Sequence, residues 1–233
     1  MIIGFYVFIS LFYLLMVLHL FFCFKEKEKL RRVTKPFLML LFSISMIFYV
    51  PKYPLVYISS IFCMIGDILM LYKKNYLCFA LGAFAFAIHH TLNFIQVKSH
   101  LSYTLPWYFY FVMLILFGLM VLAGYLFTSH KKHGMLAYGF SFFHVSMLLM
   151  SILVICDKKY LYGSLMLSGY ILCIVSDLIL DYTTHKKDIK RRDFYIMLTY
   201  LAGEILLLSS ISTMCFYSFW NRFQIIFYLS KVK

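Results

Sequence analysis

Between Lys52 and Lys73 the chain carries a single charge, Asp67. A short turn, Lys73-Lys74-Asn75, then leads into a second apolar run that holds His89 and His90. Two uncharged stretches joined by a basic turn, with a carboxylate in one and imidazoles in the other, predict a helical hairpin with buried ionisable groups. Such groups are costly at membrane depth, so each marks a functional-site hypothesis. The plainer reading is an aspartate that only ties two helices together by hydrogen bonding. A second observation favours function. Gly66-Asp67-Ile68-Leu69-Met70-Leu71-Tyr72 is echoed by Ser176-Asp177-Leu178-Ile179-Leu180-Asp181-Tyr182.

Charged residues make up 13% of the 233, about half the share of a soluble domain, and 64% are hydrophobic; the class is membrane protein. The net charge of +13 does not imply nucleic acid, because the basic residues sit in short loops and form no continuous face. Cys23, Cys63, Cys78, Cys156, Cys173 and Cys215 fall in or beside apolar runs without C-x-x-C spacing, which suits small buried residues better than redox work.

Eight apolar stretches approach the roughly 20 residues that cross hydrocarbon. They are Met1 to Phe24, Thr34 to Tyr49, Tyr53 to Tyr72, Tyr76 to Val97, Pro106 to Phe127, Gly134 to Cys156, Tyr160 to Tyr182 and Phe194 to Phe216. The first lacks a basic leader and a small-residue cleavage site, and reads as a retained helix. Pro36 is expected in the first turn of the second helix, where its missing N–H costs little. His130-Lys131-Lys132-His133 reads as a loop, and residues 219–233 as a short interfacial tail. In lipid only helices satisfy their backbone one segment at a time, so the expected fold is a single all-α domain, a polytopic membrane bundle of eight transmembrane helices. The echo lies four helices apart and admits a 4+4 parallel repeat. Loops after the odd-numbered helices, with Lys35, hold fifteen Lys and Arg residues and the alternate loops four, which places both termini outside the cytoplasm of a multi-pass cell-membrane protein.

Four acidic residues lie within these stretches: Asp67, Asp177, Asp181 and Glu204. Asp181 reads as a solvated helix end. Glu204 shares a face with Tyr200, and Asn93 can share one with either His89 or His90. His19 and His144 stand alone on apolar helices and read as structural. No H-x-x-x-H or H-E-x-x-H spacing announces a metal, no Gly-x-Ser-x-Gly elbow a nucleophile, and no Gly-rich loop a phosphate. What remains is an acid–base constellation in an apolar pocket, with no cofactor expected.

Thr34-Lys35-Pro36, Gly66-Asp67 with its aliphatic run, Leu81-Gly82-Ala83-Phe84 with His90, Ser176-Asp177-Leu178, and Thr199-Tyr200 with a polar residue four on appear in that order. Together they resemble the lysoplasmalogenase (YhhN-like) family of eight-helix membrane proteins. The family usually has Gln where this chain has Glu204, and a second Tyr where it has Leu201; the spacing from Phe86 favours His90 for the family's histidine. The resemblance implies hydrolysis of the vinyl ether bond of lysoplasmalogens to a fatty aldehyde and a glycerophospho-ethanolamine or -choline. It implies a lysophospholipid substrate drawn from the bilayer, with Asp67, Asp177, His90, Tyr200 and Glu204 catalytic and Lys35, Asn93 and His89 binding substrate. One rival is a proton-coupled transporter of a small molecule or lipid, against which stands the lack of matched Gly/Pro breaks at mid-span. An intramembrane aspartyl protease fits less well, since Met64-Ile65-Gly66-Asp67 lacks its further glycine. A non-catalytic membrane protein is the third alternative.

Overall fold

The computed structural model describes residues 2–72, 75–127, 131–185 and 189–231. The regular elements among them are α-helices: α1 (Ile2–Phe24), α2 (Glu28–Tyr49), α3 (Pro54–Met70), α4 (Tyr76–Lys98), α5 (Trp107–Phe127), α6 (Lys131–Cys156), α7 (Tyr160–His185) and α8 (Arg192–Lys231).

Eight helices form, but six are long and apolar enough to cross a membrane: α1, α2, α4, α6, α7 and α8. Helix α3 has 17 residues, and the apolar part of α5 is Trp107–Ala123. At 1.5 Å per residue, 17 residues rise about 26 Å, short of the roughly 30 Å hydrocarbon core. Prolines delay the start of α3: Pro51 lies in the preceding turn, and Pro54 is its first residue.

Two helix starts also move. Helix α2 begins at Glu28, so Arg31, Arg32 and Lys35 are helical and Pro36 is an interior residue. Glu28 pairs with Arg32 one turn on, Arg31 pairs with Asp193 of α8 at 3.2 Å, and Thr34 Oγ1 donates to the Leu30 carbonyl at 2.9 Å. These contacts, with the buried stripe Leu38, Met39, Phe42, Ser43 and Met46, hold the helix across the proline's missing hydrogen bond. Helix α6 begins at Lys131, so Lys131, Lys132 and His133 are helical where a loop was expected; residue 130 lies outside the described residues. Lysine is a good helix former, and nothing in Lys-Lys-His breaks a helix. Residues 219–231 of the expected tail are a backbone continuation of α8, which meets no Gly or Pro after Gly203; residues 232 and 233 lie outside the described residues.

Helices α1, α2, α3, α4, α6, α7 and α8 pack in that order and α8 returns to α1, closing a ring, while α5 lies against α6. Helix α8 also reaches across the ring to α2, α3 and α4. It is the hub, and its inward face carries Leu201, Leu207, Leu208, Ile211 and Met214, all buried. Helices α1 and α5 turn large apolar side chains outward, among them Ile3, Leu14, Val17, Trp107, Leu114 and Leu126. Such a surface suits lipid rather than water. The polar side chains point inward instead, as in Ser43, which donates to Ser60 Oγ at 2.8 Å.

At one end of the bundle Asp157 clasps two loops. Its Oδ2 accepts from the Ser102 amide at 3.1 Å and hydroxyl at 3.2 Å and pairs with Lys159, whose ammonium also donates to the His100 carbonyl at 2.6 Å. Burial pushes the carboxyl pKa up, but the hydrogen bonds from Lys159 and Ser102 outweigh it and hold Asp157 below the usual range. The clasp's contribution is therefore complete above about pH 4 and lost as pH falls through the lowered value.

The crossing that sets the height of α8 is made of glycines. A Cβ on Gly203 would lie 2.8 Å from the Gly169 carbonyl oxygen and 2.6 Å from Cys173 Sγ; one on Gly169 would lie 2.8 Å from the Gly203 carbonyl oxygen. The obstacle is largely backbone, which cannot rotate away. At Gly66 the obstacle is the Phe86 ring, a side chain at 2.8 Å. Gly203→Ala should therefore cost about 1–3 kcal/mol, and Gly66→Ala less. Thermal unfolding of the detergent-solubilised variants checks the order.

Candidate active site

The buried carboxylate of α3 is held from two sides. Asp67 Oδ1 lies 3.0 Å from the Lys35 ammonium on α2, and Oδ2 accepts from the Tyr200 hydroxyl on α8 at 3.0 Å. With its proton committed to Asp67, Tyr200 Oη is left as an acceptor, and the Cys63 thiol at 2.9 Å is its donor. Cys63 is one turn before Asp67 on the same face of α3. Lys35 reaches Asp67 because α2 starts early and carries it two turns into the bundle.

One turn beyond Tyr200 on α8 is Glu204, also buried. Its Oε2 is 3.5 Å from His89 Nε2, and Oε1 accepts from the Cys173 thiol at 4.0 Å. The geometry fixes the tautomer of His89. Its Nδ1 faces the Ser59 carbonyl at 2.8 Å, which only accepts, so Nδ1 carries a proton. Nε2 then receives the Asn93 amide at 3.2 Å while facing Glu204.

Next comes a stack of imidazoles. The His90 ring lies 4.8 Å from that of His89 and 4.8 Å from that of His144. Tyr170 and Phe140 each close on His90 at 5.7 Å. His144 Nε2 is 3.8 Å from Asp177 Oδ2. The Asp177 side chain is 45% exposed where that of Asp67 is 4% exposed, so the two aspartates are not equivalent: one is sealed and paired, the other opens outward. The side chain of Asp181 lies outside the described residues.

All eight residues singled out in the sequence thus fall on one polar track through the bundle, running from Lys35 and Asp67 through Tyr200, Glu204, His89, Asn93 and His90 toward His144 and Asp177. Four others lie on it that the sequence reading set aside or passed over. Cys63 was legible as the i−4 neighbour of Asp67. Tyr170 and Cys173 share a face of α7 with Asp177 at i, i+3 and i+7. His144 had no helical neighbour to mark it; only the packing of α6 against α4 and α7 brings it in. His19 is structural: its ring bonds Thr34 Oγ1 at 2.7 Å and faces Cys23 Sγ at 3.5 Å, tying α1 to α2.

Residues 30–211 match the profile of the YhhN family, which covers the whole track. The chain belongs to the YhhN family. Neither a search of curated proteins nor one of solved structures returns a match. The resemblance carried by the ordered motifs is therefore borne out for most of the chain, and the YhhN fold in this member is a polytopic α-helical membrane bundle.

Four buried polar atoms on this YhhN track lack a hydrogen-bond partner: His90 Nδ1, Asn93 Oδ1, Tyr170 Oη and Glu204 Oε2. They cluster in the middle of the track, away from the satisfied Asp67. Buried unpaired polar groups cost about 1–3 kcal/mol each.

The Asp67 end tests the energetic side. Lys35→Met leaves a buried carboxylate without its cation and should destabilise by about 3–5 kcal/mol. Adding Asp67→Asn removes the stranded charge and should recover most of that loss. Thermal midpoints of the two single variants and the double variant measure the coupling.

Proposed function

We propose that this YhhN protein is a membrane hydrolase that cleaves the vinyl ether bond of lysoplasmalogens, releasing a fatty aldehyde and a glycerophospho-ethanolamine or -choline. The observation that carries the reading is the inequality of the two aspartates. A vinyl ether resists bases and nucleophiles and yields to protonation of its β-carbon, which produces an oxocarbenium ion. The reaction needs a carboxylic acid as donor and a fixed negative charge whose field stabilises the cation. Lys35 and Tyr200 favour the ionised form of Asp67 by charge and hydrogen bonding. Asp177 has no Lys or Arg partner among the described ion pairs, only His144 at 3.8 Å, and in an apolar wall it is the better donor.

The sequence of events follows. The Asp177 proton moves to the β-carbon, and the C=C π electrons form that C–H bond. Water adds to the α-carbon of the oxocarbenium ion and gives up a proton, leaving a hemiacetal and restoring the acid. The hemiacetal then collapses: its hydroxyl gives up a proton and forms the C=O bond, the bond from that carbon to the glyceryl oxygen breaks, that oxygen takes the proton, and the aldehyde leaves. On this reading His90 and Tyr200 relay the proton, and His89, Asn93 and Lys35 line the path. On this reading a single-chain lipid approaches from the bilayer at the outward side of Asp177, beside the exposed Leu178.

Eight crossings complete the reading, α3 and α5 being accommodated by local thinning of the bilayer. Both termini then lie outside the cytoplasm, with Lys25–Arg32 and residues 186–192 inside. Cysteines placed in either basic loop should resist a membrane-impermeant thiol reagent in intact cells; labelling from outside would reverse the orientation.

The decisive assay supplies purified protein with lysoplasmalogen and with a plain lysophospholipid and measures aldehyde. Release from the first alone supports the reading, and none from either defeats it. Asp67→Asn and Asp177→Asn should each lower turnover at least about 100-fold, and the double variant should be scarcely worse, because groups that act as a unit are not additive. His90→Ala and Glu204→Gln should be milder.

A further inference from the structure

Cys63, His89 and Glu204 come from three different helices, α3, α4 and α8, and all three side chains are buried. One ligand atom from each, the Cys63 sulfur, a His89 ring nitrogen and a Glu204 carboxylate oxygen, lies within 4.8 Å of the other two. We propose that these residues form a site for a thiophilic divalent transition-metal ion, zinc being the ion that best matches the donor set. The proposal does not depend on the hydrolase reading.

The first argument is the tautomer. His89 donates Nδ1–H to the Ser59 carbonyl at 2.8 Å, the outer bond that fixes a ligating imidazole and leaves Nε2 free to bind. The second is the orphaned carboxylate oxygen. Glu204 Oε2 is buried without a hydrogen-bond partner, although His89 Nε2 stands 3.5 Å away. Two acceptors facing one space without a hydrogen bond between them are placed as two ligands of one cation are.

Distance is the third. Three atoms no more than 4.8 Å apart share a point within about 2.8 Å of each, so shifts of about 0.5–0.8 Å reach zinc bonding distances. Charge is the fourth. A thiolate, a carboxylate and a neutral imidazole around a dication sum to zero, the balance that an apolar interior requires. In the free site the Cys63 thiol donates to Tyr200 Oη, and binding releases that proton. The Asn93 amide occupies the Nε2 lone pair at 3.2 Å in the free site, and turning it presents Oδ1, which has no donor, toward the ion. The ion would join α3 and α4 to the hub helix beside the Tyr200–Asp67 contact.

Cobalt titration of the full chain, purified metal-free in detergent, tests this. The wild type should take up one Co²⁺ per chain with a thiolate-to-cobalt charge-transfer band, and Zn²⁺ should displace it. Glu204→Gln, which keeps the shape and loses the charge, should weaken binding at least about 10-fold. Cys63→Ser should abolish the band, whereas Cys173→Ser and Cys215→Ser should retain it. The proposal is overturned by the absence of a saturable band in the wild type, by a band that follows Cys173 instead of Cys63, or by unchanged affinity in Glu204→Gln. Should Cys63→Ser fail to fold, the Glu204→Gln titration decides alone.

Discussion

A carboxylate among apolar helices must be paired, and the pairing of Asp67 with Lys35 organises the bundle around it. Each unpaired ion would cost several kcal/mol at this depth. Lys35 reaches Asp67 because α2 begins at Glu28 and carries the lysine two turns inward before Pro36. Tyr200 reaches the other oxygen because α8 crosses α7 at Gly169 and Gly203 with backbones nearly touching. Three helices thus converge on one side chain, and the glycine crossing sets the height at which the third arrives. Glu204, one residue past Gly203, inherits its position from the same crossing.

The helical hairpins and the ionisable residues within them were legible because both are local. An uncharged run of about 20 residues announces itself, and an aspartate inside one is conspicuous against it. Helix ends were less legible. The start of α2 depends on contacts of Glu28 with Arg32 and of Arg31 with Asp193, and the latter is set by tertiary packing. The site was legible as a set of residues but not as an arrangement. Asp67 and Asp177 looked like a symmetric pair in the sequence, since seven residues around each are alike. The structure separates them, because only Asp67 faces α2 and its lysine. Cys63, His89 and Glu204 are far apart in sequence, so no spacing rule for metal ligands applies to them; their convergence exists only after α8 has crossed the ring.

That asymmetry is more informative than the symmetry it replaces. Two identical carboxylates at one depth would compete for a proton with nothing to assign the roles. On the proposed reading a cation at one and an imidazole at the other assign them without a large structural difference. The polar track between supplies groups that both donate and accept, and the unpaired atoms lie along it rather than at its paired end. On that reading the lysine stabilises the charge that the chemistry keeps, and the half-exposed aspartate meets the arriving lipid.

Acid chemistry on such a track also discriminates among lipids without recognising them in detail. Ester bonds of ordinary phospholipids survive a carboxylic acid unless a nucleophile or strong polarisation accompanies it, and no nucleophile elbow occurs in this sequence. A vinyl ether is different, because its oxygen lone pair stabilises the cation that protonation creates, so one proton in the right place suffices. On the proposed reading a bundle immersed in phospholipid can therefore hold its acid at the lipid-facing side, as Asp177 is held, without damaging the bilayer around it. Selectivity then comes from the bond, and the binding residues need only bring a single-chain lipid's first carbons alongside α7.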